Sequence, residues 1–541
     1  MDFVLGLHSH LPYVLNHGRW PHGSDWLCEA ALDTYLPLLE ELRGLRAADV
    51  RAPVTIGFTP VLANQLANPR FRSEMEAFLA QRLEACKLAP ASLGSTGDQA
   101  LLPLVGFWAT RFGRLQALFH EIDGNLVTAF RELEAAGALE IIGSAATHGY
   151  LPLLGRDESI RLQLAVGREE HRRLFGRDPR GCWLPECAYR PGRAGRPRRP
   201  SIGAQLAEAG FRYFFTDAHL AQAGAPLGSY GGAPLGAERF DGDRHDPGGR
   251  VSEPAIRSPN RAYRVTAGPR SVATLVRDPR ASMQIWSRQR GYPGDESYLE
   301  FHKIRWPGGL KFWRVSGSGV DLGDKRPYDP ARAAGRAEEH ASHFVALLRA
   351  ETKGPGVVAA PFDTELFGHW WFEGVGFLGA VYRRLAQDPV TRPVTASDYL
   401  AEHPPRAGLR LAEGSWGANG DHSMWMNDQT AWTWRRLWAL ETAFWDAAPR
   451  ALATPAAHPV LAQAARQLLL AQASDWQFII STGAATDYGE QRFKEHCDDG
   501  ERLVAALGNG LAEGQGLAAM LDQRDQVFPN VLASVAAVLG A

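Results

Sequence analysis

Two acidic residues stand in surroundings that a solvated carboxylate would not have. Glu186 lies in Trp183-Leu184-Pro185-Glu186-Cys187-Ala188-Tyr189, and Asp363 in Pro361-Phe362-Asp363-Thr364-Glu365-Leu366-Phe367-Gly368-His369-Trp370-Trp371. Carboxylates held against indole and phenyl rings can have their pKa values pushed apart, which leaves one ionised as a nucleophile and one protonated as an acid. That division of labour breaks glycosidic bonds, so carbohydrate chemistry is the first expectation. The two residues are distant in the chain, and only a fold that gathers strand ends could pair them. The competing reading makes either acid a buried partner of an arginine. Glu365 is a rival for the acid role, because on a strand continuing past Asp363 it would share the same face.

Two further blocks carry chemistry, His8-Ser9-His10-Leu11-Pro12-Tyr13 and Gly143-Ser144-Ala145-Ala146-Thr147-His148-Gly149-Tyr150. Taken in order with the Glu186 and Asp363 blocks, they resemble the motifs of the family-57 glycoside hydrolases. A fifth block, Gly414-Ser415-Trp416-Gly417-Ala418-Asn419-Gly420-Asp421-His422 with Trp425 and Asn427, resembles the segment that marks the 1,4-alpha-glucan branching enzymes of that family. The resemblance runs from residue 3 to about residue 500. It implies that Glu186 is the nucleophile and Asp363 the general acid/base of a retaining double displacement, with carboxyl groups ~5 to 5.5 Å apart. It further implies cleavage of an internal alpha-1,4 bond and transfer of the released segment to a 6-hydroxyl. No cofactor and no metal are needed for such chemistry, and the expected partner is an alpha-glucan. Alternatives on the same scaffold are a 4-alpha-glucanotransferase and an alpha-amylase-like hydrolase. A non-catalytic glucan binder and a metal-dependent deacetylase are the readings from other classes.

The remaining candidates each carry two readings. His8 and His10 alternate with Ser9 and point the same way from a strand. With His148, the family resemblance makes them hydrogen-bond partners for sugar hydroxyls; a divalent metal held with a nearby aspartate is the other chemistry, although no third ligand of matched spacing is evident. Trp286, Trp416 and Trp425, and more weakly Trp20 and Trp26, could stack on glucose rings or pack in the core. Asp475, beside Trp476, could contact a sugar hydroxyl or cap a helix. Arg261, Arg264 and Arg277 read as surface charges.

Apolar residues make up 45% and charged residues 22% of the 541 positions, as in a globular enzyme. With 58 basic and 60 acidic residues the net charge is -2, which gives no reason to expect nucleic acid or an anionic membrane as partner. Cys28, Cys86, Cys182, Cys187 and Cys497 are odd in number and lack metal-ligand spacing, which favours a reducing compartment. Asp2 stands where a secretory signal would be basic, and no run reaches the ~20 apolar residues of a membrane span. A cytoplasmic protein is expected; its oligomeric state is not written in the sequence.

Short β-rich runs end repeatedly in reactive residues: Phe3–Leu7 before His8, Val54–Phe58 before Thr59, Leu139–Ile142 before Ser144 and His148, Gly181–Leu184 before Glu186, Phe211–Phe215 before Asp217, and Val357–Ala360 before Asp363. Helical segments such as Leu27–Leu45 and Ser159–Leu174 lie between them. This is the grammar of a parallel barrel whose site sits at the carboxyl ends of its strands. The expected fold is α/β, and the resemblance specifies a distorted, TIM-like (β/α)7 barrel. Residues 1–189 and 301–409 are predicted to form its two parts. Residues 190–300 are predicted as an inserted loop-rich subdomain, its Arg190–Arg199 tract an exposed basic loop and residues 222–270 a mobile loop; the family resemblance implies that this loop closes over the glucan site and contributes a tyrosine to transfer. Tyr230 or Tyr263 is the candidate tyrosine of that loop. Apolar faces at Trp432–Trp445, His458–Trp476 and Gly500–Leu521 predict an all-helical domain over 410–541 that contributes to the glucan site.

Overall fold

The computed structural model describes residues 1–195, 199–227, 257–267, 270–287, 291–317, 319–350 and 356–540. Eight strands matter for the site: β1 (Asp2–Ser9), β2 (Val54–Phe58), β3 (Leu139–Ser144), β4 (Gly181–Trp183), β5 (Tyr213–Thr216), β6 (Ala262–Ala267), β7 (Arg270–Val276) and β8 (Val357–Asp363). Seven of these pair in parallel in the order β7-β5-β4-β3-β2-β1-β8. Arg277, just past β7, forms a parallel bridge to Ala359 of β8, so the last strand returns to the first and the ring meets itself. All eight residues of β1 and all seven of β8 are buried, which is why both read as nearly unbroken apolar runs.

β6 runs antiparallel to β7 and lies outside the ring. Residues 190–300 are therefore less separate than their composition predicts: β5 and β7 belong to the barrel, and Ala262–Ala267 is a strand where a mobile loop was expected. The basic tract differs too. Arg190 is buried, Arg199 is paired with Asp157 at 3.0 Å and Arg193 with Glu413 at 2.6 Å, so the tract ties the barrel to the segment after residue 410.

Helices cover 431–452, 458–471, 475–482, 486–508, 511–524 and 531–539. Helix 458–471 packs against 486–508 and 511–524, and 531–539 packs back on helix 157–175 of the barrel. Two predicted helices are each broken in two. Gly510, at φ 98°, separates 486–508 from 511–524, and residues 472–474 interrupt the apolar face that runs from His458 to Trp476. The second break faces the active site.

Candidate active site

One rim of the barrel collects a polar residue from the end of each parallel strand: His8 from β1, Thr59 after β2, His148 after β3, Glu186 after β4, Asp217 after β5, Arg277 after β7 and Asp363 from β8. Register sets His8 directly beside Asp363. Glu186 follows the three-residue strand β4 in a tight turn with φ 58° and ψ 22°, and Cys187 follows at φ 46°. Left-handed backbone at two consecutive non-glycine residues costs about 1–3 kcal/mol each and is tolerated where the surroundings over-determine it.

Those surroundings are identifiable. The segment beginning at Gly414 runs antiparallel to the Glu186 turn, with bonds Tyr189 N–H to Gly414 O (2.8 Å), Gly414 N–H to Tyr189 O (3.0 Å) and Trp416 N–H to Glu186 O (3.0 Å). Only glycine fits at 414, because a Cβ there would lie 2.2 Å from the Gly420 carbonyl oxygen. The pairing aims the Trp416 indole N–H at Glu186 Oε2, at 2.8 Å. Ser474 donates to the other oxygen, Oε1, at 2.9 Å. Burial pushes the Glu186 carboxyl up to about 8, opposed by these two donors and reinforced by the charges of Asp363 and Asp475. Burial alone favours the protonated form; two donors on two oxygens favour the carboxylate, and the indole can do nothing but donate.

β8 stops at Asp363, and a tight turn over Thr364–Leu366 follows, so period-two alternation does not extend to Glu365. Glu365 instead accepts from the Tyr35 hydroxyl and from the His10 backbone N–H, and burial pushes it up to about 8. Tyr35 ends a π-helical turn at Ala31–Tyr35, a device that the sequence reading passed over.

The three histidines form one stack on Trp183, with His8 parallel to the indole at 4.6 Å and His10 against His148 at 4.1 Å. His8 Nε2 meets His148 Nε2 at 2.9 Å; His148 Nδ1 meets Ser474 Oγ at 2.9 Å. His10 joins Thr59 through Nδ1 and Asp475 through Nε2, both at 2.9 Å. Burial lowers His8 and His148 well below the usual imidazole range, so both are neutral. Asp475 is the first residue of helix 475–482, and its carboxylate meets His10 Nε2.

Donor atoms of His10, His148 and Asp475 lie within 4.8 Å of one another, which supplies the third ligand that sequence spacing did not. The rings do not suit a metal, however. An imidazole nitrogen coordinates in its own plane, the planes of His10 and His148 are stacked at only 27° to each other, and His10 Nε2 is already bonded to Asp475.

The tryptophans divide. Trp286 is half-buried and edge-on to Trp416 at 6.4 Å. Trp416 is buried, and it reaches the site through its N–H. Trp425 is fully buried with Tyr150 stacked on it at 4.5 Å, so it offers no surface to a sugar in this structure. Trp20 is 69% exposed and edge-on to an exposed Trp306, while Trp26 is half-buried. Arg277 is not the expected surface charge: it is buried, 3.1 Å from Asp217, with its guanidinium over the Trp416 ring at 5.6 Å. It is drawn inward because it continues β7 into the ring closure. Tyr263 is buried on β6 and its hydroxyl donates to the Ser258 carbonyl at 2.8 Å; Tyr230 lies outside the described residues.

A seven-stranded parallel barrel with buried acids at its carboxyl rim defines a class of carbohydrate-active fold. The chain belongs to glycosyl hydrolase family 57, whose pattern it matches over residues 4–412; residues 439–535 match the C-terminal region of 1,4-alpha-glucan branching enzymes. It is 39% identical to a 1,4-alpha-glucan branching enzyme of Thermococcus kodakarensis over 98% of this chain and 78% of that one. The crystal structure of that enzyme aligns with a TM-score of 0.87 at 38% identity, covering 98% of this chain and 96% of the other. A family 57-type branching enzyme from Pyrococcus horikoshii gives 0.86 at 37% identity, with 98% and 96% covered. An alpha-amylase from Thermotoga maritima gives 0.80 at 27% identity, with 98% and 99% covered.

Proposed function

We propose that this protein is a 1,4-alpha-glucan branching enzyme. It opens an internal alpha-1,4 bond of an alpha-glucan and transfers the released segment to a 6-hydroxyl, forming an alpha-1,6 branch. The observation that carries this reading is that the barrel rim is completed from the branching-enzyme region: Ser474 and Asp475, within residues 439–535, bond to Glu186 and His10. In this reading the helical unit that begins at Ala431 is part of the glucan site.

In this mechanism Glu186 attacks the anomeric carbon while Asp363 protonates the departing glycosidic oxygen, giving a covalent glycosyl-enzyme. Asp363 then takes the proton of an acceptor 6-hydroxyl as that oxygen displaces Glu186. Transfer outruns hydrolysis when an acceptor is held and water kept out, and Trp286, edge-on to Trp416, is the half-buried aromatic placed to meet a sugar. His10 and Asp475 orient hydroxyls at the same rim.

Incubation of the purified protein with amylose, followed by NMR of the alpha-1,6 anomeric proton and by reducing-end assay, tests the proposal. New alpha-1,6 linkages exceeding new reducing ends are expected. Reducing ends without branches would make the protein a hydrolase, and Glu186→Gln should silence both signals while glucan affinity persists.

A further inference from the structure

We propose that Ser474 is the positioning residue of the nucleophile, and that ionised Glu186 fixes every proton direction along the line Glu186–Ser474–His148–His8. The inference rests on the reading of Glu186 as nucleophile.

The proton directions follow from counting. Ionised Glu186 can only accept, so the single Ser474 proton points to Oε1. The Ser474 oxygen then accepts from His148 Nδ1–H. Neutral His148 therefore presents a lone pair at Nε2, which must accept from His8 Nε2–H. That leaves His8 Nδ1 as a buried acceptor with no partner among the described residues. If Glu186 is protonated at Oε1 the Ser474 oxygen accepts from it, and the Ser474 proton is freed either toward His148 Nδ1, which reverses the rest of the line, or away from it. With Glu186 ionised and both imidazoles neutral, any other arrangement puts two donors or two acceptors face to face at one of the three junctions.

Ser474 is held rigidly enough to impose this. It occupies the break between helices 458–471 and 475–482, its backbone N–H donates to the His148 carbonyl at 3.2 Å, and Ala473 bridges to Gly149. His148 itself sits at φ 57°. The charged or titratable groups facing Glu186 are Asp363 from β8, Asp475 beside Ser474, His148 and Tyr150 after β3, and its neighbour Cys187. None of these is removed by changing Ser474 to alanine.

The test is the pH profile of kcat/KM for amylose cleavage in wild type, Glu186→Gln, Ser474→Ala, His148→Asn and His148→Ala, with folding checked by circular dichroism. Loss of a hydrogen bond to a charged group predicts kcat lower by about 10- to 100-fold in Ser474→Ala, KM within about threefold, and an ascending limb about one pH unit higher. His148→Asn keeps an N–H near the Nδ1 position and tolerates the left-handed backbone, so its limb should stay near wild type, while His148→Ala should follow Ser474→Ala. A rate loss with an unmoved limb in Ser474→Ala, or equal limbs in the two His148 variants, would overturn the proposal; the His148 pair decides it alone if Ser474→Ala does not fold. An active Glu186→Gln would overturn the nucleophile assignment instead, so the two failures are distinguishable.

Discussion

Replacing Trp416 by phenylalanine removes the indole N–H and the pyrrole ring but keeps a six-membered ring to face Trp183 and Arg277, which lie 5.6 Å from the native indole. The lost bond is a buried 2.8 Å donor to Glu186 Oε2. A hydrogen bond to a charged group is worth about 1.5–3 kcal/mol, and it favours only the ionised form. At about 1.4 kcal/mol per pKa unit, Glu186 should rise from about 8 to about 9–10. A nucleophile must be ionised, so the reactive fraction at pH 7 falls from about a tenth to about a hundredth or a thousandth, and kcat/KM falls by about 10- to 100-fold. The deficit should shrink as pH rises toward the new pKa. The assay is initial-rate cleavage of amylose from pH 5 to 10, wild type against Trp416→Phe. A ratio that stays constant across pH, or a rate within twofold of wild type at pH 7, would refute the claim that Trp416 serves the nucleophile through its N–H.

The acid role is decided by comparing Asp363→Asn, expected to lose about a thousandfold in kcat, with Glu365→Gln, expected to stay within about tenfold; the reverse order would give the role to Glu365. Glu365 also carries a stability signature. Its folded pKa of about 8 lies above the ordinary glutamate value, so its contribution is fully present below about pH 4.5 and is lost as pH rises through about 8. Glu365→Gln should therefore flatten the fall in Tm between pH 5 and 9 without steepening it at acid pH, as scanning calorimetry would show. Arg277→Met should destabilise by about 3–5 kcal/mol in denaturant melts, because it strips a partner from buried Asp217, and Asp217→Asn in the same chain should recover part of the loss. Dialysis against a chelator should leave amylose turnover unchanged; loss that zinc restores would return the His10, His148 and Asp475 cluster to a metal.

Much of the barrel was legible because each parallel strand is a local apolar run ending at a polar residue, a pattern carried by three to eight consecutive positions. Thr59 was found in this way, and the structure gives it to His10. Glu365 was misplaced because a two-residue period holds only while the strand lasts, and β8 ends at Asp363. Arg277 was misread because charge alone does not reveal burial; ring closure draws it in beside Asp217. Ser474 and Tyr35 were invisible, since a serine in a helical period and a tyrosine in an apolar helix carry no local mark of a partner hundreds of positions away.

No helix among the described residues is long and apolar enough to cross a membrane. The sequence by itself determined the chemical types at the rim, the strand-and-helix grammar and the family, because these depend on residues near one another in the chain. Tertiary structure alone decided which oxygen of Glu186 meets which donor, which tryptophans keep an exposed face and which imidazole nitrogens are already taken. Those facts depend on distances between residues such as Glu186, Trp416 and Ser474, which come together only when the C-terminal unit closes on the barrel and water is excluded from the contact.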